Sequence, residues 1–289
     1  MIDPGPRAGI VRICIGRRRR YRGRMETAAA LLGPDDPAPV AVINGAARAE
    51  VLLICDHASR AVPRSLGTLG LDPALLALHI GWDIGAAAVA THLAELLGAP
   101  AIASGFSRLV IDCNRSLDDP TLMPEASDGI AVPGNRGLSA DQRAARIAAL
   151  HEPYHRTIQA HLDAASAGGT APAIVSIHSF TPRMNGIDRP WHIGILWDRD
   201  PRMAVPLIAG LAGPGGLEIG DNQPYSARSP QGYSMARHAL GRGLPHVLVE
   251  IRQDEIETDA GARRYAGLLD QALRPILADR QLYRTAFYQ

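Results

Sequence analysis

The sequence predicts a single α/β domain, a three-layer sandwich around a mixed, mostly parallel central sheet. Apolar runs of strand length alternate with capped helical segments, the pattern of a sheet covered by helices on both faces. Hydrophobic residues make up 46% of 289, enough for a sizeable core. No internal repeat and no clean linker divides the chain.

Residues 1–39 are expected to be a disordered, arginine-rich extension, with Met25 as a candidate start. Residues 1–24 carry eight arginines against one aspartate, a local balance of +7 that leaves the remainder near −6. The run Arg17–Arg20 would suit export or nucleic-acid contact. An export signal needs a clean apolar stretch and a cleavage site, whereas Met25–Leu32 is short, contains Glu26 and runs into Gly33-Pro34-Asp35-Asp36-Pro37.

The expected domain spans 40–289. Val51–Cys55 reads as a buried strand and Pro73–His79 as a helical turn. A helix over Asp83–Leu97 would start on an N-cap carboxylate and stop at Gly98. Ala99–Ala103 and Leu109–Cys113 are the next strands, followed by a long loop over 116–138. Ser139 caps a helix from Ala140 to Ala165, interrupted by Pro153. Ala173–Ile177 and Ile193–Trp197 are strands, Pro201–Leu211 a helix, Gly213–Gly216 a turn and 221–234 a second long loop. His246–Ile251 is a core strand, and Thr258–Leu277 closes the chain as a helix.

All thirty basic residues are arginine, which excludes lysine Schiff bases, a Walker-type phosphate loop and a Ser-Lys dyad. The remainder, near −6, gives no case for nucleic acid. Cys14, Cys55 and Cys113 are too few and scattered for a disulfide framework or a cysteine zinc cluster, and fit a reducing, cytoplasmic compartment. No apolar run approaches the roughly 20 residues that would cross a bilayer, so no membrane partner is expected. No Gly-x-Ser-x-Gly elbow or dinucleotide-binding glycine motif is present. No oligomeric state follows from the sequence.

Three apolar runs end on reactive side chains: Ile54-Cys55-Asp56-His57, Val175-Ser176-Ile177-His178 and Val249-Glu250-Ile251-Arg252. Parallel strands deliver such ends to one edge of a sheet, where ligands bind. His57 and His178 are either structural histidines or zinc ligands, and a catalytic zinc needs a third. Asp83 is the choice, though it could equally be a plain N-cap; Asp56 is weaker, because strand alternation turns it away from His57. A carboxylate as deep in a strand as Glu250 is costly unless it is ion-paired or functional, and beside zinc it can move a proton. Arg108 and Asn114-Arg115 flank an apolar run and suit recognition of a carboxylate. Arg252 and Asp254 would support the site. His151-Glu152-Pro153-Tyr154-His155 matches the H-E-x-x-H zinc pattern formally, but Pro153 opposes the helical geometry the pattern needs.

Taken in order, Asp56-His57-Ala58-Ser59, Gly81-Trp82-Asp83, Ser107 to Arg115, Ile177 to Pro182, Arg189-Pro190-Trp191-His192 and Glu250 to Asp254 resemble the N-formylglutamate amidohydrolase family. The resemblance runs from Val51 to Asp254 and implies a zinc-carboxypeptidase-like (phosphorylase/hydrolase-like) fold. It implies a metal ligand at His178, Glu250 as catalytic base and Asn114-Arg115 at the substrate carboxylate; joined to the reading of the residues, the expected site is one zinc per chain on His57, Asp83 and His178, with Arg108 and Arg252 also at the substrate. The implied reaction splits N-formyl-L-glutamate, or a related N-acyl acidic amino acid, into glutamate and formate, as in histidine catabolism. One departure stands out: carboxypeptidases bind zinc through His-x-x-Glu, and three residues after His57 comes Arg60. That departure leaves open a zinc peptidase or deacylase on another N-acyl amino acid, or a metal-free carboxylate-binding protein on the same fold.

Overall fold

The chain folds by pairing short apolar strands, of which the five inner ones are buried on both faces. The computed structural model describes residues 31–47, 49–213, 216–228 and 232–288. Residues 1–30 of the expected extension lie outside these. Of the rest of it, Leu31 is buried in a cluster with Leu69 and Phe106.

Among the described residues one sheet has seven strands: β1 (Val40–Ile43), β2 (Val51–Cys55), β3 (Ala101–Ser104), β4 (Ala173–Phe180), β5 (Ile193–Leu196), β6 (Ile219–Asp221) and β7 (His246–Arg252). Their order is β1-β3-β2-β4-β7-β5-β6. β3, β2, β4 and β7 run parallel, β1 is antiparallel to β3, and β5, parallel to β6, is antiparallel to β7.

The longer helices are α1 (Ala86–Leu97), α2 (Ala140–Arg146), α3 (Glu152–Ser166), α4 (Pro201–Leu211), α5 (Tyr233–His238) and α6 (Asp259–Ala278). Alternate strand residues face opposite layers. Val51, Leu53, Val175, Ile177, Val247 and Val249 pack with α1, α4 and α6. Leu52, Ile54, Ile174 and Leu248 pack with Tyr154, Ile158 and Leu162 of α3 and Met235 of α5. This is the expected mixed, mostly parallel α/β sandwich.

Caps set the helix ends. Ser139 and Gln142 form a reciprocal capping box on α2, Thr258 accepts from Gly261 N at the start of α6, and Asp200 accepts from Arg202 N at the start of α4. α2 and α3 are joined by a wide π turn over Ile147–His151, which brings the chain to Pro153 near the start of α3. Two expectations are corrected. Leu109–Cys113 is not a strand: Ser107 turns the chain, its oxygens accepting from Leu109 N and Val110 N, and Leu109, Val110 and Ile111 are buried beneath the connecting loops. Asp83 does not cap α1. Gly85 occupies that position at φ +80, where any Cβ would also strike Ile256 O. Strand β6 ends at the first residue of the loop expected over 221–234 and helix α5 begins at Tyr233 within it; neither element was expected.

Between α3, α5 and the sheet lies a buried histidine pair. The Cys113 carbonyl can only accept, so His155 Nε2 donates to it at 2.9 Å. His155 Nδ1 then accepts from His238 Nε2 at 2.9 Å, and both rings are neutral. Burial lowers the His155 pKa to about 3 and that of His238 to about 4. The unfolded chain, with histidines near 6.5, therefore binds more protons between about pH 4 and 6.5, and stability contributed by the pair is lost as pH falls through that window. For His238→Gln, the slope of unfolding free energy against pH over this range should be shallower than the native slope by up to about one proton, roughly 1.4 kcal/mol per pH unit. Denaturant titrations at several pH values measure it; equal slopes would mean that His238 titrates normally when folded.

Candidate active site

Because β2, β4 and β7 are parallel, their carboxyl ends share one edge. His57 lies two residues past the end of β2, while His178 and Glu250 are register neighbours near the ends of β4 and β7. The Gly81–Gly85 connection delivers Asp83, whose backbone N–H donates to His57 O at 2.9 Å. Its Oδ2 meets His178 Nδ1 at 2.8 Å and His57 Nδ1 at 3.2 Å. One ligand atom from each of the three lies within 4.8 Å of the others, and all three residues are buried. Competition from two imidazoles explains why Asp83 leaves the helix end uncapped.

The outer nitrogens are equally well held. His57 Nε2 meets Asp112 Oδ1 at 2.7 Å and His178 Nε2 meets Asp56 Oδ2 at 3.0 Å. Asp112 also accepts from Arg108 Nη2 and Asn114 N. Asp56 Oδ1 accepts from Tyr154 Oη at 2.9 Å and Ser234 Oγ at 2.6 Å. A carboxylate on Nε2 keeps a proton there and leaves the Nδ1 lone pair for a metal, the usual support for a ligating histidine. Asp56 thus turns from His57, as alternation required, and serves the other histidine.

Charge agrees with the donor set. Asp56, Asp83 and Asp112 are buried carboxylates, and Arg108 is the guanidinium paired with two of them, a balance of −2. Burial opposes ionisation of Asp56, yet His178 holds its pKa down to about 2. Two imidazolium rings or one divalent cation would each neutralise this balance. Burial and Arg108 disfavour the His57 imidazolium, but Asp112 and Asp83 outweigh them and raise its pKa. Burial likewise opposes the His178 imidazolium, and Asp56 and Asp83 prevail. Two imidazole nitrogens and one carboxylate oxygen, each braced from behind, fit a divalent metal that keeps an open position.

Glu250 faces the same space. Its Oε2 is buried without a hydrogen-bond partner among the described residues, so the ion pair with arginine weighed from the sequence is not formed there. Burial raises its pKa to about 7, with His178 pulling down and Asp83 pushing up. The cavity of about 350 Å³ here is lined by His57, Asp83, His178 and Glu250 together with Asn114 and Arg115. A larger cavity of about 660 Å³, lined mainly by apolar residues of α4, α6 and the chain after α6, touches none of these groups.

The Asn114-Arg115 segment of the lining is pinned by the H-E-x-x-H pair. His151 Nε2 donates to Arg115 O at 3.0 Å and His155 Nε2 to Cys113 O, so the two histidines straddle Asn114 rather than bind metal. Asn114 Oδ1 accepts from Ser234 N at 3.0 Å. Its Nδ2 is left as a donor without a partner among the described residues. Arg115 lines the cavity while Nε donates to Thr121 Oγ1. Arg108 also lines it, but its guanidinium is engaged by Asp83 and Asp112. Arg252, expected at the substrate, is not among the lining residues; its guanidinium donates to Asp254, Glu255 and Pro190 O. Arg60 lies over the Trp82 ring, 5.8 Å from its centroid.

The family model of N-formylglutamate amidohydrolase matches residues 49–257. Gene product Atu2144 from Agrobacterium tumefaciens is similar in structure, with 38% identity and a TM-score of 0.82, over 86% of this chain and 98% of that one. N-formylglutamate amidohydrolase from Ralstonia eutropha JMP134 shares the fold at 21% identity and a TM-score of 0.67, over 85% of this chain and 99% of that one. No curated protein matches. With the matched region spanning every residue that builds the cavity edge, from His57 to Glu250, the chain belongs to the N-formylglutamate amidohydrolase family.

Proposed function

We propose that this amidohydrolase hydrolyses the formyl amide of N-formyl-L-glutamate, or of a closely related N-acyl acidic amino acid, using one zinc ion per chain. The products are glutamate and formate, which suits a cytoplasmic step of histidine catabolism. The observation that carries the reading is Glu250: a buried carboxyl without a partner among the described residues, beside His178 in the sheet and facing the His57–Asp83–His178 donor set.

Zinc held by His57, Asp83 and His178 would supply Lewis acidity that polarises the amide carbonyl and makes water acidic at neutral pH. Glu250 takes a proton from the attacking water and returns it to the departing nitrogen. A pKa near neutrality suits both halves of that transfer. Arg115 and the Asn114 Nδ2 donor hold substrate carboxylate, and the pinned backbone around Asn114 fixes where the amide lies. Arg108 supports the site by neutralising Asp83 and Asp112.

Formate release from N-formylglutamate tests the reading. Glu250→Gln should lower kcat about 100-fold or more with zinc content unchanged; full activity in the variant would remove Glu250 from the mechanism. Arg115→Ala should raise KM roughly 10- to 100-fold with a small change in kcat, as loss of a charged ground-state contact requires. An unchanged KM counts against the clamp. Asp56→Asn should weaken zinc binding roughly 10- to 100-fold. Competition with a chromogenic chelator reads this directly, and native affinity in the variant would dismiss Asp56 as a support.

A further inference from the structure

Within the sheet Glu250 has His178 on one side and Gly194 of β5 on the other. A Cβ on Gly194 would run into Gln223 O, so this position admits no side chain and the 222–225 segment lies against the strand next to Glu250. Two residues after Gln223, Tyr225 lines the same cavity as Glu250, His57, Asp83 and His178.

Arg189 determines what the Tyr225 hydroxyl can do. Its guanidinium carbon lies 4.9 Å from the Tyr225 ring centroid and 5.9 Å from that of Phe180, the last residue of β4. Arg189 Nη1 donates to Tyr225 Oη at 3.0 Å, and Nη2 reaches Met184 Sδ. A guanidinium has no acceptor, so the phenol oxygen must accept and its own hydrogen is left for another group. Among the described residues no acceptor takes it. Burial and the Glu250 carboxylate raise the Tyr225 pKa, so at neutral pH the group is a phenol that donates.

We infer that Tyr225 is a further catalytic residue, donating its O–H to the substrate's formyl oxygen as negative charge gathers there, with Arg189 as its positioning residue. The inference rests on the function proposed above. As the water oxygen bonds to the formyl carbon, the carbonyl π pair moves onto oxygen and Glu250 receives the water proton. Tyr225 keeps its proton throughout and contributes a hydrogen bond that strengthens with the charge. The pair then returns, the C–N bond breaks, and the proton on Glu250 passes to nitrogen; the formic acid so formed gives its proton to the freed amine, leaving formate and glutamate. A donor aimed at developing charge acts on the transition state more than on bound substrate, so its loss appears in kcat.

The experiment is steady-state formate release from N-formylglutamate, with zinc content, for the native enzyme, Tyr225→Phe and Arg189→Met. Tyr225→Phe should lower kcat roughly 100-fold, with KM and zinc content within about twofold of native on the same warrant. Arg189→Met, which keeps the phenol but frees its orientation, should lower kcat about 10-fold, again without a large change in KM. Native kcat in Tyr225→Phe, or a raised KM at native kcat, overturns the inference while leaving the proposed function standing. A native enzyme that releases no formate overturns the proposed function and this inference with it.

Discussion

One oxygen of Asp83 is approached by imidazoles from two different strands, and the surrounding structure is arranged to make that burial tolerable. A carboxylate removed from water costs several kcal/mol unless charge and hydrogen bonds replace its hydration. Here the replacements come from His57, His178 and Arg108. Each imidazole then needs a partner on its outer nitrogen, which brings in Asp112 and Asp56. Those two bring in Asn114 N, Tyr154 and Ser234. The network therefore runs from the sheet edge through α3 and α5, and ends on the Arg108 guanidinium and on uncharged donors.

The sequence was most legible where burial and local chemistry agree. β2, β4 and β7 are apolar runs that stop on polar residues, and α2, α4 and α6 start on Ser139, Asp200 and Thr258. His57, His178 and Glu250 were visible because a polar side chain at the end of such a run calls for an explanation. Leu109–Cys113 misled because an apolar run can be buried without pairing when a serine satisfies its backbone. Helix α5 was hidden because Tyr233–His238 has neither an N-cap side chain nor an apolar stripe of useful length.

Asp83 does lie with His57 and His178, but the cap that made it conspicuous is not formed. Asp56, Tyr154, Ser234 and Tyr225 were not legible as a group. Their partners lie up to 178 positions away, and nothing local to any of them announces the contact. The H-E-x-x-H run shows the converse. Its spacing does put two imidazoles one turn apart, but their targets are the carbonyls on either side of Asn114, a use that residue identity alone does not reveal.

Ser234 joins two parts of the cavity that are usually considered apart. Its hydroxyl holds Asp56, which supports His178, while its backbone N–H fixes the Asn114 amide in the cavity lining. A displacement of α5 therefore reaches both arms together. Energetic effects of changes at Asp56 and Asn114 will not sum independently, because each alters the footing on which the other rests. In this fold the footing of His178 and the footing of Asn114 share one hinge pin, and selection on either acts on both.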